Sequence, residues 1–171
     1  MESLPAGYHA LVIGASGAIG GAFLYALEHD PRCARLLAVS RATHPHFNLC
    51  DEQSLARLAD DLQHEGPFHL IIDATGALTL DGKGPEKHLG GLNADQLRQA
   101  FDVNAIGPVL LLRHLTPLLA TRERCMYAKL SAPVGSIFPE TSVNGMLAAL
   151  DTLEPLGHAH FVDYRGQSIP W

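Results

Sequence analysis

The chain has 171 residues, 47% of them hydrophobic, and 12 basic against 18 acidic residues give it a formal charge of −6. This suits one soluble domain with its own core, residues 1–171, and leaves no room for a second. No Lys/Arg cluster is present to neutralise a phosphate backbone, which argues against a nucleic-acid partner.

The first element is the apolar run 8–13, a strand, followed by the glycine-spaced stretch Ile13-Gly14-Ala15-Ser16-Gly17-Ala18-Ile19-Gly20 and a helix over 18–29 that stops before Asp30-Pro31. A second strand covers 36–40. Residues 53–65 place Leu55, Leu58, Ala59 and Leu62 at helical spacing and end at Gly66-Pro67. Residues 68–73 form a continuous apolar strand of the kind buried on both faces. A polar loop over 76–92 follows. Asn93 then reads as an N-cap, with Gln96 completing a capping box, and opens a helix whose later part, 105–120, is rich in leucine. A strand over 126–131, a helix over 141–153 and a last strand over 160–164 complete the order. Strands alternating with helices predict a Rossmann-type, doubly wound parallel sheet in three α/β/α layers. No repeat or low-complexity tract interrupts it.

Several classes of site are disfavoured. The stretch 105–120 is broken by Pro108, Arg113, His114 and Pro117 and is too short to span a bilayer, so no membrane association is expected. No basic segment precedes the first apolar run, so a secretion signal is not read there and a cytoplasmic location is expected. Cys33, Cys50 and Cys125 match neither a disulfide framework nor a zinc pattern and read as reduced thiols. Ten histidines include the pairs His44/His46 and His158/His160, but no Cys or carboxylate cluster accompanies either pair at zinc spacing, so no metal is expected.

What remains is a nucleotide site. In such a sheet a ligand lies beyond the carboxyl ends of the strands, where the strand order reverses. Gly14 permits the sharp turn out of the first strand, Gly17 and Ala18 keep side chains away from a pyrophosphate, and Gly20 lets the helix pack close. Together with Ser16 and Ile19 they form the phosphate-binding turn, its anion lying against free N–H groups at the helix N-terminus. No Gly-Lys-Ser/Thr follows, so it is not an NTPase phosphate loop. The second strand ends in Ser40-Arg41 rather than an acidic residue; a hydroxyl beside a guanidinium suits a 2′-phosphate, so NADP is favoured over NAD.

These residues resemble the short-chain dehydrogenase/reductase family. Its glycine motif falls on Gly14, Ala18 and Gly20, its adenine-contacting pair on Asn48-Leu49, and its Asn-Asn-Ala-Gly stretch on Asp73-Ala74-Thr75-Gly76. Val103-Asn104-Ala105-Ile106-Gly107-Pro108 is an intact match to the Val-Asn-x-x-Gly-Pro helix motif, whose asparagine belongs to the family's catalytic tetrad. Residues 130–137 and the tail 161–171 look like the carbonyl-reductase-like subgroup that includes the C-factor cell-contact signalling proteins.

The resemblance implies an NADP-dependent oxidoreductase that reduces a small-molecule carbonyl to an alcohol by hydride transfer. It also implies cofactor contacts at Ala74, Thr75, Gly76 and Asn104, with Ser131 or Ser136 matching the catalytic serine. The family's Tyr-x-x-x-Lys pair is missing: Tyr8, Tyr25, Tyr127 and Tyr164 all lack a lysine four residues on. The chain passes from Ile137 to Phe138-Pro139-Glu140-Thr141 as though the catalytic helix, the next strand and the substrate-covering loop were absent. The nucleotide-binding part is then 8–131 and the residual C-terminal part 138–171. Little or no turnover is expected. The alternative is a non-catalytic nucleotide-binding or regulatory protein that pairs with a full-length relative. An epimerase-like extended or atypical relative shares the Gly14-x-x-Gly17-x-x-Gly20 spacing, but the Val-Asn-x-x-Gly-Pro motif argues against it. A homo-oligomer would rest on the 105–120 helix, since the second helix of the family's usual interface is missing.

Overall fold

A computed structural model describes residues 1–131, 139–155 and 158–169. Tyr8–Ile13 (β1), Cys33–Val39 (β2), Leu70–Asp73 (β3) and Met126–Lys129 (β4) form one sheet in the order β2-β1-β3-β4, every pairing parallel. The order reverses between β2 and β3, on either side of β1. β1 and β3 are central, and Ala10–Ile13 and Leu70–Asp73 are buried along their whole length. That burial is why the third strand reads as an unbroken apolar run.

Helices cover both faces, as the alternation of elements predicts. Ala18–Glu28 (α1) and Pro139–Thr152 (α5) enclose one core built on Tyr8, Val12, Phe23, Leu27, Ile72 and Val143. Glu52–Leu62 (α2) and Gly107–Leu115 (α4) enclose the other, on Leu11, Ile13, Leu55, Leu58, Ile71 and Leu111. The Asp51 side chain caps α2 through the N–H of Gln53, and its apolar positions 55, 58 and 62 make one buried stripe.

The long helix expected from the leucine pattern is segmented. Ala94–Phe101 (α3) is followed by a π-helical turn, Asp102–Ile106, then α4 and a 3₁₀ turn, Thr116–Leu118. Asn93 caps α3 by accepting the N–H groups of Asp95 and Gln96, as expected. The reciprocal half of the capping box is not made, because the Gln96 side chain donates instead to the carbonyl of Gly84 and ties the 76–92 loop to the helix.

One expected strand is not in the sheet. Residues 160–164 belong to a small hairpin with a single antiparallel bridge, Val162 to Ser168. Asp163 Oδ1 accepts the N–H groups of Arg165 and Gln167, and Gly166 turns the chain at φ +78°. An aspartate that satisfies the backbone two residues on favours a turn over a strand. The hairpin packs on α5 where a Cβ on Gly145 would lie 2.6 Å from the Tyr164 carbonyl oxygen. The expected junction between the two parts of the chain, residues 137–138, lies outside the described residues. The helix that follows is in place against α1. Among the described residues, no helix is long and apolar enough to cross a membrane.

Asp30 joins the end of the α1 connection to the sheet. Its carboxylate accepts the Tyr8 hydroxyl at 2.8 Å and the Arg32 N–H at 2.9 Å, and pairs with the Met1 ammonium at 2.7 Å. Burial works to raise this carboxyl, but the ammonium and the two hydrogen bonds outweigh it and hold it below the usual aspartate value. A carboxyl depressed on folding contributes stability above its unfolded value, and loses it as pH falls through the folded one. Asp30→Asn is therefore expected to lower the unfolding free energy by about 1 to 3 kcal/mol at neutral pH. In urea titrations the gap to wild type should close as the medium is made acidic.

Candidate functional site

The carboxyl ends of β1 and β3 meet without room for a side chain between them. Gly14 takes φ +81°, and a Cβ there would sit 2.7 Å from the Ala74 carbonyl oxygen. A Cβ on Gly20 would collide with the Gly14 carbonyl, so α1 must start flush against the turn. Both glycines answer to steric need. The Gly14 and Ala15 N–H groups bond to the Val39 carbonyl, which fixes the turn to β2.

Gly17 is the N-cap of α1 and offers no side-chain cap, and the first turn carries no acidic residue. The leading N–H groups of the helix thus have no side-chain acceptor and present partial positive charge. Ser16, Gly17 and Ala18 are exposed, while Ile19 is half-buried and packs into the α1 core. This is the geometry of an anion site.

The segment after β3 is held from three sides. Ala74 N–H bonds to the Ile13 carbonyl. Asn104, in the π-turn, takes the Ala77 residue from both ends: Oδ1 accepts its N–H at 2.8 Å and Nδ2 donates to its carbonyl at 3.0 Å. Gly76 lies against the same Asn104 oxygen with φ +131°. The asparagine expected from the Val-Asn-x-x-Gly-Pro motif thus clamps the loop that floors the cleft. The π-turn is what directs it there. Gly107, from the same motif, lets α4 approach the Asn48-Leu49 bend, where a Cβ would be 2.6 Å from the Leu49 carbonyl oxygen.

The third hold is not announced by any motif in the sequence. Asp73 is fully buried at the end of β3. Its Oδ1 accepts the N–H and the hydroxyl of Thr75 at 2.9 and 2.5 Å and pairs with the Lys129 ammonium at 3.3 Å. Lys129 also donates to the Thr75 carbonyl at 2.6 Å and its hydroxyl at 3.1 Å. The Tyr127 hydroxyl stands 3.4 Å from Asp73 Oδ2. Tyr127 and Lys129 are two apart on a strand and so share a face, and Lys129 is in register with Asp73. That periodicity is the available signal, though only knowledge that β3 and β4 are neighbours turns it into a site.

This pair does not replace the missing Tyr-x-x-x-Lys. Burial and then the Asp73 carboxylate push the Tyr127 phenol far above its ordinary value, the opposite of an activated proton donor. Burial pulls Lys129 down, with Asp73 opposing it.

The other expected residues are placed less closely. Ser40 is buried, and its hydroxyl accepts the N–H groups of Ala42 and Thr43, so it shapes the turn that carries Arg41. Arg41 is exposed and has no hydrogen-bond or ion-pair partner among the described residues. Asn48 Oδ1 accepts the Cys50 N–H, a local turn bond. Ser131 is exposed just beyond β4, and Ser136 lies outside the described residues. His160 bonds to the Glu154 carbonyl.

No family profile and no curated protein matches the sequence. Solved structures do match. One is a carbonyl reductase from Pseudomonas aeruginosa PAO1, at 20% identity and TM-score 0.68, over 96% of this chain and 100% of that one. Another is a small-chain dehydrogenase in complex with NADPH, at 20% identity and TM-score 0.58, over 84% and 61%. A third is an NADPH-bound carbonyl reductase from chicken fatty liver, at 17% identity and TM-score 0.54, over 67% and 49%. The chain spans 49%, 61% and 51% of the length of three of the solved structures it matches. The fold is that of the short-chain dehydrogenases. Within that class, carbonyl reductases recur among its structural neighbours.

Replacing Asn104 by Ala removes both bonds to Ala77 while leaving the buried helix contacts of Gly107 and Pro108 intact. The expected outcome is an Ala77 amide that exchanges with solvent at least about tenfold faster, with global stability lowered by no more than about 1 to 2 kcal/mol. Unchanged exchange at Ala77 would contradict the clamp.

Proposed function

We propose that this chain binds NADP(H) at the Gly14–Gly20 turn, as a shortened relative of the short-chain carbonyl reductases with little or no turnover. The observation that carries the reading is the turn itself. Gly14 at positive φ, Gly20 flush against its carbonyl and an uncapped, acid-free helix start make an anion site where the strand order reverses. The neighbours solved with NADPH support that choice of ligand.

When bound, the nicotinamide would supply hydride to a carbonyl carbon, and the alkoxide formed would then need a proton. Asn104 is spent on Ala77 and Tyr127 is held protonated by burial, so neither is a ready donor. That is the basis for assigning binding with little turnover. NADPH oxidation with any aldehyde or ketone, if abolished by Asn104→Ala, would overturn it.

Arg41, which follows the end of β2 and has no partner among the described residues, is assigned to the 2′-phosphate, with Ser40 fixing the turn that carries it. In fluorescence titrations Arg41→Ala should weaken NADPH about tenfold or more and NADH by less than about twofold. Equal losses would remove the preference for NADP.

The second reading, a non-catalytic protein that associates with a full-length relative or with itself, is favoured by the α3–α4 surface. Phe101 is 65% exposed, Ile106 50% and Val109 65%, all large and apolar. In sedimentation experiments Val109→Glu should shift an associated wild type to monomer. A wild type monomeric at all concentrations would count against self-association.

A further inference from the structure

Among the described residues Asp73 is the one buried carboxylate, and it lies where a negative charge is least welcome. It is in register with Ile13, one residue before the turn, and the next residue, Ala74, touches Gly14. A carboxylate so near a phosphate-binding turn would repel a dinucleotide, and would do so strongly in an interior of low polarisability. Lys129 is the cation that meets it. Its three donors go to Asp73 Oδ1, the Thr75 hydroxyl and the Thr75 carbonyl, so the same ammonium neutralises the charge and ties down the loop between β3 and the Asn104 clamp.

We propose that Lys129 is a positioning residue of the nucleotide site, which cancels the Asp73 charge beside the Gly14 turn and fixes Thr75, so that an anionic dinucleotide meets a neutral and rigid floor. The proposal rests on the nucleotide reading above. The groups that face Asp73 are Thr75 from its own loop and Tyr127 and Lys129 from β4; its register neighbour on β1, Ile13, is apolar. Lys129 is partly exposed and Asp73 is not, so the pair has one end toward the surface and one in the core.

The pair makes a sharp experiment possible. Lys129→Met removes the cation and leaves the carboxylate alone. NADPH affinity, read by fluorescence titration, should be about tenfold weaker than that of wild type. The double variant D73N/K129M carries no charge at either position, so it should recover most of that loss, short of the part that Lys129 supplies by holding Thr75. A purely structural role for Lys129 would leave the double variant as weak as K129M.

If K129M does not fold, Asp73→Asn alone serves. It removes the charge that Lys129 is proposed to cancel, and its affinity should equal or exceed that of wild type. A double variant that binds no more tightly than K129M overturns the proposal, as does a D73N variant that binds more weakly than wild type. A wild-type chain that binds no NADPH at any pH overturns the nucleotide reading itself, and the proposal falls with it.

Discussion

The site and the fold share one steric fact: two pieces of backbone meet between β1 and β3 with no side chain between them. Gly14 at φ +81° brings its Cα within reach of the Ala74 carbonyl, and Gly20 lets α1 begin against the Gly14 carbonyl. Everything downstream follows from that packing. The helix start is set beside the turn, its leading N–H groups face the reversal point of the sheet, and the loop after β3 becomes the floor of a cleft. A side chain at Gly14 would be both strained and in collision.

The remaining architecture keeps that cleft in place with few parts. Among the described residues the sheet has four strands, and the two central ones carry its most deeply buried residues. α5 covers the α1 face although the connection from β4 is short, so the core on that side is closed by Val143 and its neighbours. Among the described residues no strand joins the sheet after β4. The tail accordingly folds back on Asp163 and Gly166 and seats its Tyr164 carbonyl against Gly145.

Much of this is legible in the sequence because it is written in local terms. A strand, a glycine-spaced turn and a helix announce the first unit, and apolar spacing marks α2 and β3. The Val-Asn-x-x-Gly-Pro motif places Asn104 near the cleft. It does not reveal that the side chain grips Ala77, because that depends on a π-turn no periodicity announces. The strand expected at 160–164 does not form, because the Asx turn of Asp163 overrides the alternation of elements. Ser40 reads as a ligand from its neighbour Arg41. What the pairing does not announce is that the serine hydroxyl also satisfies the N–H groups two and three residues on and so shapes the turn itself.

The least legible feature is the electrostatic one. Asp73 falls where the related motif has asparagine, and taken alone it looks like a departure that spoils the site. Lys129 lies 56 residues away in the chain, and its spacing from Tyr127 fits no helical dyad. Parallel pairing of β3 with β4 places the ammonium opposite the carboxylate, and Thr75 joins them. Charge placed in a core must be met by charge or by several hydrogen bonds, and here both are supplied from one strand and one loop. The apparent loss of a neutral motif residue is therefore compensated across the sheet, and the same compensation stiffens the segment that an incoming nucleotide would rest upon.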